Sequence, residues 1–408
     1  MAGVRAGLSA AGERARVGSP AGCGSGTRLR SAIASVALGG AAALAAGCMG
    51  GSGTPSPAPV PRPVDGRALI NRLLPAELPD RAGWAADLYA AFTVPRIPVT
   101  ATSVCSALAI VEQESGYRAD PAIPGLATIA WSEIDRQAER AGIPRLVVRA
   151  ALAVGSPDGR SWAERIDAAR TERELSEIFE DLVSLVPLGR RFLADRNPVR
   201  TGGPMQVSIA FAQEQAARRP YPYPVGEGGI RREVFTRRGG LYFGVAHLLD
   251  YPAAYDRPIY RFADFNAGRH ASRNAAFQNA VALVSGVPLD LDGDLVRFGE
   301  DAGKPGATEL AVRTVAAQLG LSESAIRRDL ERGKDDEFAR TALHERVFAL
   351  ADRAARAPVP RAVVPRIRLE TPKTTRRLTT EWFAQRVDER FRRCMARAAA
   401  GGAAANSP

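Results

Sequence analysis

The sequence predicts a mainly α fold, and three observations lead there. Apolar residues recur every three to four positions through almost the whole chain beyond Asp65, alternating apolar and polar runs are nearly absent, and no fixed-period repeat replaces them. Taken in order, the helical patterns cover residues 68–74, 84–92, 101–114, 132–141, 146–154, 162–169 and 172–186. A last helix is expected over about 380–400, where Phe383, Val387, Phe391 and Cys394 share one face. That face reads as core, and the arginines opposite read as solvated.

The chain has 408 residues, 46% of them hydrophobic and 24% charged, which excludes wholesale disorder and a fibrous repeat. One apolar run, residues 32–46, is long, yet it falls short of the roughly 20 residues that span a bilayer, so a multi-span membrane protein is excluded. The net charge of +11 raises nucleic acid as a partner. Its distribution argues otherwise: residues 1–47 carry +4, residues 352–408 carry +8, and the stretch between them is left at −1. Lysine occurs only at positions 304, 334 and 373, so arginine supplies nearly all the positive charge.

Arg28 and Arg30, the apolar run and the small residues that close it follow the order of a secretory signal over residues 1–47. Ala46, Gly47 and Cys48 resemble the end of a bacterial lipoprotein signal, which implies an acylated Cys48 as mature N-terminus. Residues 48–64, rich in glycine and then proline, read as a tether reaching roughly 50 Å. Met49 is not the aspartate that tends to hold such proteins at the inner membrane. The expected location is therefore the outer membrane, facing the periplasm, with the membrane contacted through the lipid anchor. Removing the leader leaves Cys105 and Cys394 beside the acylated Cys48. They read either as a disulfide formed in an oxidising compartment or as two separate buried thiols.

Residues 102–116 open with two capping residues and stop at Ser115-Gly116, so Glu114 ends the helix. Ala107, Ile110 and Val111 precede it by seven, four and three places. A carboxyl at the end of an apolar stripe tends to be desolvated, which suits a general acid. Glu112 follows a similar stripe, through Cys105, Leu108 and Ala109, and only the helix end favours Glu114.

Four segments then occur in one order: Glu114-Ser115 with Tyr117 and Pro121; Gly202-Gly203-Pro204-Met205-Gln206; Gly240-Leu241-Tyr242-Phe243-Gly244 with Leu248; and Ala263 to Gly268. This order resembles the lytic transglycosylases of the lysozyme-like superfamily. The resemblance implies a lysozyme-like helical domain over 65–300, with a helical insertion at about 126–200 and a helical, basic extension over 301–408. It implies Glu114 as the catalytic acid, Ser115 as its supporting hydroxyl, and Met205, Gln206, Tyr242, Phe265 and Asn266 as contacts to peptidoglycan glycan strands. A single carboxyl suffices for that family, whereas hydrolysis usually takes two. Pro204, Phe265 and His247 depart from its pattern, as do the 92 residues separating Glu114 from Gln206. Asp264 stands where the family usually has a small residue and reads as a surface cap, with hydrolytic chemistry as the alternative. The mature chain also resembles a group of proteobacterial lipoproteins classed as a domain of unknown function. A non-catalytic peptidoglycan-binding scaffold is thus the second reading.

Residues 314–330 resemble the helix-turn-helix of repressors, with Gly320 at the turn and Arg327 and Arg328 on the second helix. An export signal contradicts DNA binding, which is the third reading, so a packed hairpin is expected and nucleic acid is not. Asp290, Asp292 and Asp294 alternate as in a calcium loop but lack its glycine and closing glutamate, and a solvated turn is expected. His247, His270 and His344 show no metal spacing, and no glycine loop for nucleotides is present. Neither metal nor cofactor is expected.

Overall fold

The computed structural model describes residues 63–185, 196–369 and 378–405. The leader, Cys48 and nearly all of the tether lie outside them. The described chain is mainly helical, with seventeen α-helices and two short two-stranded hairpins. None of its helices is long and apolar enough to cross a membrane.

The first three helices are α1 (Pro63–Leu73), α2 (Arg81–Thr93) and α3 (Ala101–Glu114). Helix α3 begins at Ala101, one residue before the expected capping pair, because Thr100 and Ser103 form a reciprocal capping box. Four helices follow: α4 (Leu126–Arg140), α5 (Arg145–Leu152), α6 (Trp162–Ala168) and α7 (Glu172–Ser184). They gather around a small core of Trp162, Ile166, Ala169 and Ile178, within the stretch expected as an insertion. Strands β1 (Thr201–Gly202) and β2 (Val207–Ser208) pair antiparallel across a four-residue loop. Beyond them come α8 (Ile209–Arg218), α9 (Gly229–Val234), α10 (Arg237–Leu249) and α11 (Pro258–Ala267).

The principal core is built from α1, α2, α3, the β1–β2 hairpin and α8 to α11. Helices α2 and α10 lie side by side with their starts together, fixed by Arg237, whose guanidinium bonds Asp80 at 2.5 Å and Asp87 at 2.6 Å. A second core gathers α12 (Ala271–Ser285), α13 (Ala307–Thr314), α14 (Ala316–Leu319), α15 (Glu323–Glu331) and α16 (Ala342–Ala355). Strands β3 (Arg368–Leu369) and β4 (Leu378–Thr379) pair antiparallel, and α17 (Thr380–Ala405) follows.

The expected boundary near residue 300 is not where the cores divide. Helix α12 puts Phe277 among Phe338, Phe348 and His344 of the second core. Helix α17 returns to the first, burying Phe383, Val387 and Cys394 against α3 and α11. Cys105 and Cys394 are joined in a disulfide, their Cα atoms 5.5 Å apart. Of the two sequence alternatives, this is the bonded one.

Residues 314–330 form the packed hairpin. Gly320 turns in the left-handed region at φ 61°, and Ile326 and Leu330 face inward. Arg327 reaches Glu309 at 2.9 Å and Glu331 at 2.7 Å, so its charge is spent inside the fold. The aspartate stretch is less solvated than expected, since Asp292 accepts from Gln278 at 2.7 Å and burial pushes the Asp294 carboxyl up.

Candidate functional site

Helix α3 is apolar on nearly every side, as a helix surrounded by others must be. The α17 side takes the disulfide and Glu112, which pairs with Arg393 at 2.8 Å and Arg390 at 3.5 Å. Two residues on, about 200° around the helix, Glu114 points elsewhere and is 7% exposed. Glu112 is thus an ion-pair residue of the α3–α17 contact.

Ser115 ends the helix, its hydroxyl donating to the Val111 carbonyl at 3.0 Å and accepting from the Arg118 amide at 3.3 Å. Gly116 and Tyr117 then take left-handed conformations, φ 57° and 63°. For tyrosine this costs on the order of 1 to 2 kcal/mol, and the packing that holds it is visible. Its ring meets the edge of Trp84 at 5.7 Å and its hydroxyl points to the Leu108 carbonyl at 3.5 Å. Burial pushes the Tyr117 phenol well up, with the Glu112 charge adding to it. Arg237 lies over the other reach of Trp84, 5.7 Å from its ring.

Across the same core stands the β1–β2 loop, residues 203–206. Gly203, at φ 74°, is required here, because a Cβ would lie 2.1 Å from the Val234 carbonyl oxygen. Met205 is fully buried in the notch left by Gly244, where a Cβ would meet its sulfur at 2.5 Å. Gln206 is half-buried and left-handed at φ 52°, with Nε2 donating to the Gly203 carbonyl at 3.1 Å. Tyr117 and Gln206 are two of the six described non-glycine residues at positive φ, and strained backbone of this kind tends to cluster at functional positions.

The other expected contacts are placed differently. Met205 is a core residue; Tyr242 is 2% exposed, its hydroxyl given to the Pro220 carbonyl at 3.2 Å, and it lines a cavity with Pro220 and Asp250 rather than the surroundings of the β1–β2 loop. Phe265 is half-buried against His247, ring centres 5.1 Å apart. Asn266 spends its side-chain oxygen on Thr380 at 2.9 Å, tying α11 to the start of α17. Asp264 is neither a surface cap nor a free acid. It is fully buried and accepts from Tyr251, Tyr255 and the amides of His270 and Ser272, pinning the start of α12. Desolvation raises its pKa despite those four donors.

Sequence reasoning passed over three participants near this end of α10. They are Trp84, Arg237 and Glu233; Glu233 is buried, accepting from Tyr221 at 2.7 Å and from Arg238 at 2.8 Å. Burial pushes its carboxyl up, but Arg238 and Tyr221 outweigh that and hold it low. Glycine spacing in Gly239-Gly240 was the available signal, since a Cβ on Gly239 would strike the Glu233 carbonyl. The Nδ1 of His247 is buried without a hydrogen-bond partner, and burial followed by Arg269 drives its pKa down to about 3.

A cavity of about 520 Å³, walled by Pro95, Arg96, Arg219, Pro220 and Asp250, lies at the far ends of α2, α8 and α10. Tyr117 and Trp84 mark the opposite end of α2, a helix length of about 20 Å away. Among the described residues no group of three or more His, Cys, Asp or Glu is arranged to hold a metal.

Residues 77–397 match the family described as "Protein of unknown function (DUF1615)". The chain belongs to that family. It is 54% identical over 332 residues to "Uncharacterized protein YaiW" of Escherichia coli (strain K12), covering 81% of this chain and 90% of that protein. No solved structure matches. The DUF1615 match includes α3, the β1–β2 loop, α10, α11 and most of α17, so every part of the candidate site lies inside the family region.

Proposed function

We propose that the protein is an envelope lipoprotein that cleaves the glycosidic bond between N-acetylmuramic acid and N-acetylglucosamine, with Glu114 as its single acid and base. One observation carries the reading: a carboxyl 7% exposed closes the most enclosed helix of the principal core and is followed by a strained turn. Glu233 is held by Arg238 and Asp264 by four donors, so neither stands as a second acid beside Glu114, which suits a one-carboxyl mechanism. In that mechanism Glu114 gives its proton to the bridging oxygen as the bond to the anomeric carbon breaks. The muramyl 6-hydroxyl oxygen then bonds the anomeric carbon and returns its proton to Glu114, leaving a 1,6-anhydro end and consuming no water.

Gln206, in the β1–β2 loop, is the residue suited to orient the sugar, and Phe265 offers a partly open ring. Lipidation at Cys48 and an outer-membrane, periplasm-facing location complete the reading. A second reading is favoured by Tyr242 and Asn266, whose hydroxyl and side-chain oxygen are bonded inside the fold: a scaffold that binds glycan without turning it over.

Digestion of purified sacculi by the wild-type protein and Glu114→Gln separates the two. Release of 1,6-anhydro muropeptides, reduced by about a thousandfold in the variant, is the expected result. Reducing ends would mean hydrolysis and overturn the one-carboxyl mechanism. Sacculus binding without any product would leave the scaffold.

A further inference from the structure

Helix α5 carries two aliphatic stripes and the fold uses one. Val148 and Leu152 turn inward, Leu152 packing against the small core of the insertion. Leu146 is 81% exposed and Val147 56%, with Ile143, Ala150, Ala151 and Val154 also outward. No residue of α5 is buried. Contiguous aliphatic surface of this kind marks an interaction face. Residues 136–150 also hold four arginines against one glutamate. Arg136 and Arg149 answer Glu133 and Asp135, each arginine still half-open to solvent. Arg140 and Arg145 make no ion pair or side-chain hydrogen bond among the described residues.

We infer that this face docks on an anionic lipid surface, Leu146 and Val147 entering the interface while Arg140 and Arg145 meet headgroup phosphates. The composition selects the occupant. Protein hot spots are rich in Trp and Tyr and poor in Leu and Val, and the outward stripe has no aromatic residue. An exposed aliphatic stripe bordered by unanswered arginines has the chemistry of an interfacial helix on acidic phospholipid. The inference does not depend on the chemistry of Glu114.

The readout must be local, because Cys48 and the leader can themselves contact lipid. The full chain carrying Cys23→Ala and Cys48→Ala, with Cys105 and Cys394 held in their disulfide, receives Leu146→Cys and an environment-sensitive fluorophore. Arg218→Cys on α8, whose side chain is 71% exposed, gives the control. Vesicles of three parts phosphatidylethanolamine to one of phosphatidylglycerol are expected to blue-shift the label at 146 and to expose it to lipid-borne quenchers. The label at 218 stays unmoved, and pure phosphatidylcholine binds at least tenfold more weakly. No shift at 146, or an equal shift at 218, overturns the inference. A concentration-dependent shift without vesicles assigns the face to a second copy and overturns it as well. Adding Val147→Asp, at an exposed position, is expected to reduce the response at 146 at least tenfold, and an unchanged response would count against the proposal.

Discussion

Helices α3 and α5 are both rich in aliphatic residues, yet ten of the fourteen residues of α3 are buried and none of the eight of α5. The difference lies in what surrounds them. Helix α3 meets α1, α10, α11 and α17, elements drawn from both ends of the described chain, whereas among the described residues α5 packs chiefly on its neighbours α4 and α6. A sequence stripe reports that a face is apolar; which side becomes core depends on how many elements return to cover it. The principal core encloses α3, and the α4–α7 region is left with a face to offer.

The sharpest test of this contrast is paired truncation. Phe243→Ala, in the fully buried ring cluster of α10, is expected to cost about 3 to 5 kcal/mol in the main urea transition. Trp162→Ala carries a similar local cost, but it should release amide protection over residues 126–185 while leaving that transition in place. If both variants lower the main transition equally, the two regions are one cooperative unit and the contrast fails. Next in size, Cys394→Ala should lower the stability of the principal core by about 2 to 4 kcal/mol, measured by thermal unfolding, and spare the insertion.

Acidification separates the regions in another way. Burial lowers the pKa of His344 to about 4 and of His247 to about 3, so between pH 6.5 and about 4 the unfolded chain binds protons that the folded one refuses. Stability therefore falls as pH falls through that window, by roughly 1 kcal/mol per pH unit for each histidine. His344→Leu should flatten the slope of urea midpoint against pH. The insertion contains no histidine, and its local opening is expected to lack this slope. The smallest effect belongs to Leu146→Asp, which should stay within about 0.5 kcal/mol of wild type in unfolding experiments, as an exposed site does.

Much of the helix content was legible because periodicity is local: α3 ends at Glu114 as read, and α6, α7 and α17 start where the pattern placed them. The candidate site was legible only in part. Glu112 and Glu114 look alike in sequence, and the arginine that pairs Glu112 arrives on α17 from 281 positions away. Met205 and Tyr242 carry no mark in sequence that separates a core contact from a ligand contact. Trp84 and Glu233 acquire their surroundings from Arg237 and Tyr221, and the Arg237–Asp80 bond spans 157 positions. Asp264 looked like a surface cap because its four donors lie on three separate turns of chain.

The disulfide joins residues 289 positions apart, and the helix it staples to α3 is the last one described. At the usual 5 to 20 residues per second, roughly 15 to 60 s of synthesis separate the two cysteines. Throughout that interval α3 has no α17 to cover Cys105, and Glu112 has neither arginine. A ribosome-stalled fragment would present a greasy, unclosed helix to chaperones and proteases, so quality control can sort incomplete chains before the Glu114 end of α3 is ever set in its final surroundings.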